Sequence, residues 1–115
     1  MKKMQFKIIL VPFPFDGLSG KKVRSALCLT EEISHYNHVV IAFITSQISK
    51  AWESSDIILS STDSDFKHTG LKVDSAIRLH RLVTIPEKIM LRELGKLPSN
   101  QEIAVKDKLR QLFKL

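Results

Sequence analysis

Apolar residues gather in runs along the first two thirds of this chain, and polar stretches mark where each run stops. Ile8 to Phe13 is β-branched and apolar and predicts a buried strand. Pro12 and Pro14 cannot donate to a ladder, so they confine that strand towards an edge or a bulge. Asp16-Gly17-Leu18-Ser19-Gly20 is turn chemistry, with two glycines able to take positive φ. Val23 to Thr30 and His38 to Thr45 predict a second and a third strand, separated by a polar loop over Glu31 to Asn37. Ile48 to Trp52 predicts a short helix and Ile57-Ile58-Leu59 a short strand. Ser60 to Thr69 is a polar loop bounded by Gly70. From Ser75 to Val83 the alternation of Ile77, Leu79, Arg81 and Val83 predicts a strand with one wet face.

The period then lengthens. Thr84-Ile85-Pro86-Glu87 has the capping-box pattern with proline near the helix start, and Ile89, Met90 and Leu91 follow it. This predicts a short helix ended by Gly95. Ser99-Asn100-Gln101-Glu102 repeats the capping box, and Val105, Leu109, Leu112 and Phe113 recur at helical spacing. Several short strands followed by terminal helices predict a mainly β protein, a small barrel or sheet with helices packed against it. No repeat, low-complexity tract or Pro/Gly-rich linker divides residues 1–115, which predicts one domain.

A chain of 115 residues buries only a modest core, so a dimer interface that hides more apolar surface is expected. The 18 Lys+Arg against 12 Asp+Glu give a formal net charge of +6, which favours polyanionic partners. Cys28 is the one cysteine; it excludes an internal disulfide and, inside Ala26-Leu27-Cys28-Leu29, reads as a buried structural thiol. The lysines of the first residues run into Gln5-Phe6-Lys7, which breaks any signal-peptide apolar region, and no apolar run reaches membrane-spanning length. The expectation is a cytoplasmic protein with no membrane association.

Two residues stand at run ends. Arg24 follows the Gly20-Lys21-Lys22 turn and precedes an apolar run; Thr45 closes another and continues into Ser46-Gln47. If those two strands pair antiparallel, their ends meet. A guanidinium matches two phosphate oxygens and stays charged at working pH, and grouped hydroxyl and amide donors bind phosphate or a base edge. Each residue also has a plain reading: Arg24 as a strand-edge partner of Asp16 or Glu31, Thr45 as an ordinary β-former, Lys21 and Lys22 as a solvated turn. His35 and His38 flank Tyr36-Asn37 without further ligands to complete a metal site, and Asp56, Asp63 and Asp65 read as part of a solvated loop. Trp52, Phe13 and Phe15 are candidates for stacking on bases; Trp52 and Phe13 serve equally as core or dimer-interface residues, and Phe13 is read as interface.

The words Ile8-Ile9-Leu10-Val11-Pro12-Phe13-Pro14, Arg24-Ser25-Ala26-Leu27, Ile44-Thr45-Ser46-Gln47 and Gly70-Leu71-Lys72-Val73-Asp74-Ser75 resemble the PemK/MazF family of toxin endoribonucleases, over about Ile8 through Leu94. The resemblance implies an SH3-like, CcdB-like β-barrel packed by a C-terminal helix, forming a homodimer. It implies the toxin of a type II toxin–antitoxin system that cleaves single-stranded RNA without metal or cofactor, leaving 2′,3′-cyclic phosphate and 5′-hydroxyl ends. In that family an arginine opening the second strand and a threonine or serine ending the third form the active site. Arg24 and Thr45 match these positions; Lys21, Lys22, Ser46 and Gln47 are the expected RNA contacts. A cognate antitoxin with an acidic C-terminal segment is the implied partner, and Asp74-Ser75 is given a structural turn role. Two departures stand out: Arg24-Ser25 where the family commonly has Arg-Pro, and Phe6-Lys7 in place of Gly-Asp before the first strand. Two other functions suit the same fold: a CcdB-like topoisomerase poison with no active site, and a non-catalytic nucleic-acid-binding module.

Overall fold

The computed structural model describes residues 3–12, 22–50 and 53–115. The predicted turn over 16–20, Phe13, Phe15, Lys21 and Trp52 lie outside the described residues. Six strands form one antiparallel sheet: β1 (Lys7–Pro12), β2 (Val23–Cys28), β3 (His38–Thr45), β4 (Asp56–Leu59), β5 (Ser75–Pro86) and β6 (Arg92–Lys96). They lie side by side in the order β4-β5-β3-β2-β1-β6, and one long helix, α1 (Ser99–Phe113), follows. The expected mainly β fold with a C-terminal helix is what forms.

Both faces of the central strands are covered, which is why their sequences run apolar instead of alternating. On one face Ile8, Leu27, Ala42, Ile44, Ile77 and Leu79 pack with Leu97 and with Val105 of α1. On the other, Ile9, Val11, Ala26, Cys28, Val39 and Ile41 pack with Met4 and Ile85. A flat sheet would leave that second face wet; this one curls over it. The curl has a visible source in β5. Ala42 pairs with Leu82, but Ile44 pairs with Ile77, so Arg78, Leu79, His80 and Arg81 stand opposite Phe43 alone. A bulge of this kind bends its strand and steepens the local twist. A smaller shift leaves Leu94 as an extra residue of β6 opposite the Ile8–Ile9 step and bends β6 against β1.

The strand expectation for His38 to Thr45 matches β3, and that for Val23 to Thr30 overruns β2 by two residues. The expectation that proline sets β1 towards an edge is overturned: β1 lies inside the sheet between β2 and β6, and Pro12 is accommodated as its last residue, where the ladder stops. The expected helix after Thr84 is overturned. β5 continues to Pro86, a single 3₁₀ turn covers Glu87–Ile89, and residues 92–96 are strand β6, paired with β1. The local capping pattern loses because residues 92–96 gain a ladder with a strand more than eighty positions earlier. Gly95 therefore sits inside β6 and ends no helix. The second capping box also does not form: Pro98 stands at the N-cap of α1, and no side chain there bonds the first turn. The short helix expected from Ile48 is a 3₁₀ turn, Ile48–Lys50. No helix among the described residues is long and apolar enough to cross a membrane.

Candidate active site

The β2–β3 ladder pairs Ala26 with Phe43, Leu27 with Ala42 and Cys28 with Ile41. Carried two residues further in the same register, it sets Arg24 opposite Thr45. Directly opposed residues of an antiparallel pair project from the same face. Both are partly buried, and both line one cavity of ≈ 610 Å³ at that end of the sheet. Ser46 and Gln47 line it too. Lys22 is exposed and lies outside its lining, while Lys21 falls outside the described residues.

Thr45 is oriented locally. Its Oγ1 accepts the Gln47 backbone N–H at 3.1 Å, a turn in which the side chain stands in for a backbone carbonyl. With one lone pair of the oxygen used by that amide, the O–H proton remains available to donate.

The cavity holds more positive charge than residue order foretells. Arg24, Lys72, Arg78, Arg81 and Arg92 all line it, and none of its lining residues among those described is acidic. Three mechanisms gather them. Arg92 arrives because β6 pairs with β1, where it faces Leu10. Arg78 and Arg81 arrive through the β5 bulge; in a regular strand residues three apart point to opposite faces. Lys72 sits on the loop after Gly70, which takes φ 74° and closes a 3₁₀ turn over Phe66–Thr69. That loop is pinned at its far end, where Asp74 Oδ1 accepts the Ser61 backbone N–H at 2.6 Å and Ser75 Oγ donates to the Val73 carbonyl at 2.9 Å. Hydrogen bonds from Ser61, its side chain first and its backbone second, hold the Asp74 carboxyl below the usual carboxylate value. Asp74 thus has the turn role its place in the sequence indicated.

Arg78 differs from the other cations in its backing. Its Nε donates to Asp56 Oδ1 at 3.2 Å, and His80 Nδ1 lies 3.8 Å from the same oxygen. Asp56 Oδ2 accepts the Glu53 backbone N–H at 3.1 Å. The Asp56 side chain is 2% exposed and that of Arg78 19%, so the carboxylate lies behind the guanidinium. Asp56 is no part of a solvated acidic loop, as its sequence context implied; it opens β4 as a buried anchor.

Cys28 is fully buried on the inner face of β2. Burial, with the negative charge of Glu93 second, pushes its thiol up to about 12. A thiol so hard to ionise is a packing residue and no nucleophile.

The sequence matches, over residues 4–113, the family described as PemK-like, MazF-like toxin of type II toxin–antitoxin system. Among solved structures the chain is similar to the Mycobacterium tuberculosis toxin MazF-mt6, with a TM-score of 0.71 and 23% identity over 95% of this chain and 97% of that one. It is also similar to an endoribonuclease in complex with its cognate antitoxin from Mycobacterial species, with a TM-score of 0.68 and 11% identity over 97% of this chain and 93% of that one. A third similar structure, an Mtb toxin, has a TM-score of 0.61 and 24% identity over 76% of this chain and 90% of that one. No curated protein sequence matches. At these identities the structural likeness shows the fold.

Proposed function

From the premise that this chain belongs to the PemK-like, MazF-like toxins of type II toxin–antitoxin systems, we propose that it cleaves single-stranded RNA in the cationic groove, with Arg24 and Thr45 at the reacting phosphate. The observation that supports this reading is that a guanidinium and an oriented hydroxyl line the same cavity. RNA brings its own nucleophile. The 2′-hydroxyl attacks the adjacent phosphorus, the bond to the 5′-oxygen breaks, and the products are a 2′,3′-cyclic phosphate and a 5′-hydroxyl. DNA lacks that hydroxyl and cannot follow this path.

Negative charge builds on the phosphoryl oxygens as the fifth bond forms. Arg24 stabilises it by a two-pronged charge-assisted contact, and Thr45 donates its O–H to one of the oxygens. The role given to Arg24 is electrostatic, since a guanidinium is a hydrogen-bond donor with no acceptor site. Ser46 and Gln47, on the turn that Thr45 anchors, contact the bases or the strand beside the cut. The neighbour solved with its cognate antitoxin supports an antitoxin partner for this chain, and the cationic groove is where an acidic segment of such a partner would bind. A second copy of the chain completes the groove across a homodimer.

The test is cleavage of a mixed-sequence single-stranded RNA in excess EDTA by the wild-type protein and by Arg24→Ala. Discrete fragments with cyclic-phosphate ends, lost in the variant, are expected. Fragments that persist in Arg24→Ala would overturn the assignment of the site, and intact RNA with a pool covering all short sequences would overturn the activity.

A further inference from the structure

One phosphodiester carries one negative charge, and Arg24 alone offsets it. The groove nevertheless gathers Lys72, Arg78, Arg81 and Arg92 beside Arg24, in a protein whose whole formal net charge is +6. Five cations along one groove match a run of phosphates better than a single one. Among these cations Arg78 is backed by a buried carboxylate. The buried Asp56 holds its Nε at 3.2 Å, and the carboxylate is itself held by the Glu53 amide. A guanidinium has five N–H donors in a fixed fork, so a carboxylate on Nε sets the plane of the group and leaves the edge away from Asp56 to meet a ligand.

Position separates this cation from the Arg24–Thr45 pair. Thr45 pairs with Ala76 on β5, and Arg78 lies two residues beyond Ala76 on the same strand, at the start of the bulge. Neighbouring strands lie about 4.8 Å apart and residues rise about 3.3 Å along a strand, so two strand widths and a two-residue offset put the backbones of Arg24 and Arg78 roughly 12 Å apart. We infer that Arg78, aligned by Asp56, grips a second phosphate of the RNA strand, flanking the one held at Arg24 and Thr45. Asp56 is a positioning residue in this arrangement: it acts on RNA only through Arg78. Arg81 extends the same bulge and adds charge beside the second phosphate. The inference rests on the ribonuclease reading above and deepens it, by giving the site a span of more than one phosphate.

The test uses the full chain and a single-stranded RNA of the sequence found to be cut, made non-cleavable by a 2′-deoxy sugar at the scissile position. Affinity is measured across a range of salt concentrations. Each phosphate contact on a single strand contributes about 0.7 to the slope of log affinity against log salt. Arg78→Ala is expected to reduce the slope by about 0.7, and Arg78→Lys to restore it. Neutral methylphosphonates placed one at a time along the strand then locate the contact. At one flanking phosphate the substitution should weaken wild-type binding roughly 10- to 100-fold and leave Arg78→Ala binding unchanged. Asp56→Asn should weaken binding with the wild-type slope and add no loss in the Arg78→Ala background. Because Arg78→Ala strands a buried carboxylate, the double variant Asp56→Asn/Arg78→Ala provides the same readings in a chain relieved of it. An unchanged slope, with the same methylphosphonate penalties in wild type and variant, overturns the second subsite while wild-type cleavage leaves the ribonuclease reading standing. Failure of the wild type to bind RNA at all overturns both.

Discussion

Gly70 and Gly95 interlock: a Cβ on Gly70 would overlap the carbonyl of Leu94, and a Cβ on Gly95 would overlap the carbonyls of His68 and Thr69. The 3₁₀ turn before Gly70 thus lies flat on β6, and the obstacle on each side is backbone, which cannot swing away. Gly70 carries the added strain of φ 74°. Gly95→Ala is expected to destabilise the protein by about 1–3 kcal/mol through overpacking. Gly70→Ala should cost at least as much, because the left-handed backbone adds roughly 1–2 kcal/mol. Urea unfolding midpoints measure both. The Gly70 variant should also bind RNA less well, since the same turn places Lys72 in the groove.

Thr45 separates hydroxyl chemistry from shape. Thr45→Val keeps the branched side chain and removes both the donor and the acceptor that fixes the Gln47 amide. Cleavage should fall by about 10²-fold or more, the usual loss for one donor at a developing oxyanion. Thr45→Ser restores both bonds and should retain most of the rate. Single-turnover rates on one cleavable RNA distinguish these outcomes, and equal losses in the two variants would assign the effect to packing.

Cys28 makes stability depend on alkaline pH. The folded thiol titrates at about 12 against an ordinary value of 9.0, so between those values the folded state holds a proton the unfolded state releases. The contribution is fully present below pH 9 and is lost as pH rises towards 12. At pH 10.5 the loss is on the order of 2 kcal/mol relative to pH 8. The fall in unfolding free energy over that interval should be steeper in wild type than in Cys28→Ala. Native protein should also resist alkylation at Cys28, which should label promptly on unfolding.

Val105 is the one fully buried residue of α1 and lies against the sheet core. Val105→Ala removes two methyl groups from that contact and should cost about 1–3 kcal/mol. The groove lies at the far end of the β2–β3 ladder and uses no residue of α1. RNA affinity at low temperature should therefore be kept while the melting temperature drops.

Features that depend on neighbours in sequence were legible from it. β3 reads directly because His38 and Thr45 bound an unbroken apolar run, and α1 because Val105 and Leu109 repeat at helical spacing. Arg24 and Thr45 could be singled out because both stand at the ends of such runs. Arg78, Arg81 and Arg92 could not be singled out. Arg78 and Arg81 look like opposite faces of one alternating strand until the bulge opposite Phe43 turns them together. Arg92 looks like part of a helix until residues 92–96 find β1. Asp56 looks solvated beside Ser54 and Ser55, whereas in the fold it is buried and bonds Arg78, twenty-two positions away. The signal that could have exposed the first two was the count of cations in Arg78-Leu79-His80-Arg81, too dense for an ordinary half-wet strand.

The pairing of β6 with β1 has a consequence for when the protein becomes dangerous to the cell that makes it. The outer edge of β1 has no ladder until residues 92–96 have been synthesised, and Arg92, a wall of the groove, travels with them. Contacts so distant in the chain form late and slowly, because the intervening loop must first be closed. A ribosome part-way through the message therefore carries β1, Arg24 and Thr45 without an assembled groove around them. The topology leaves this wall of the groove missing until residues 92–96 have emerged and paired with β1.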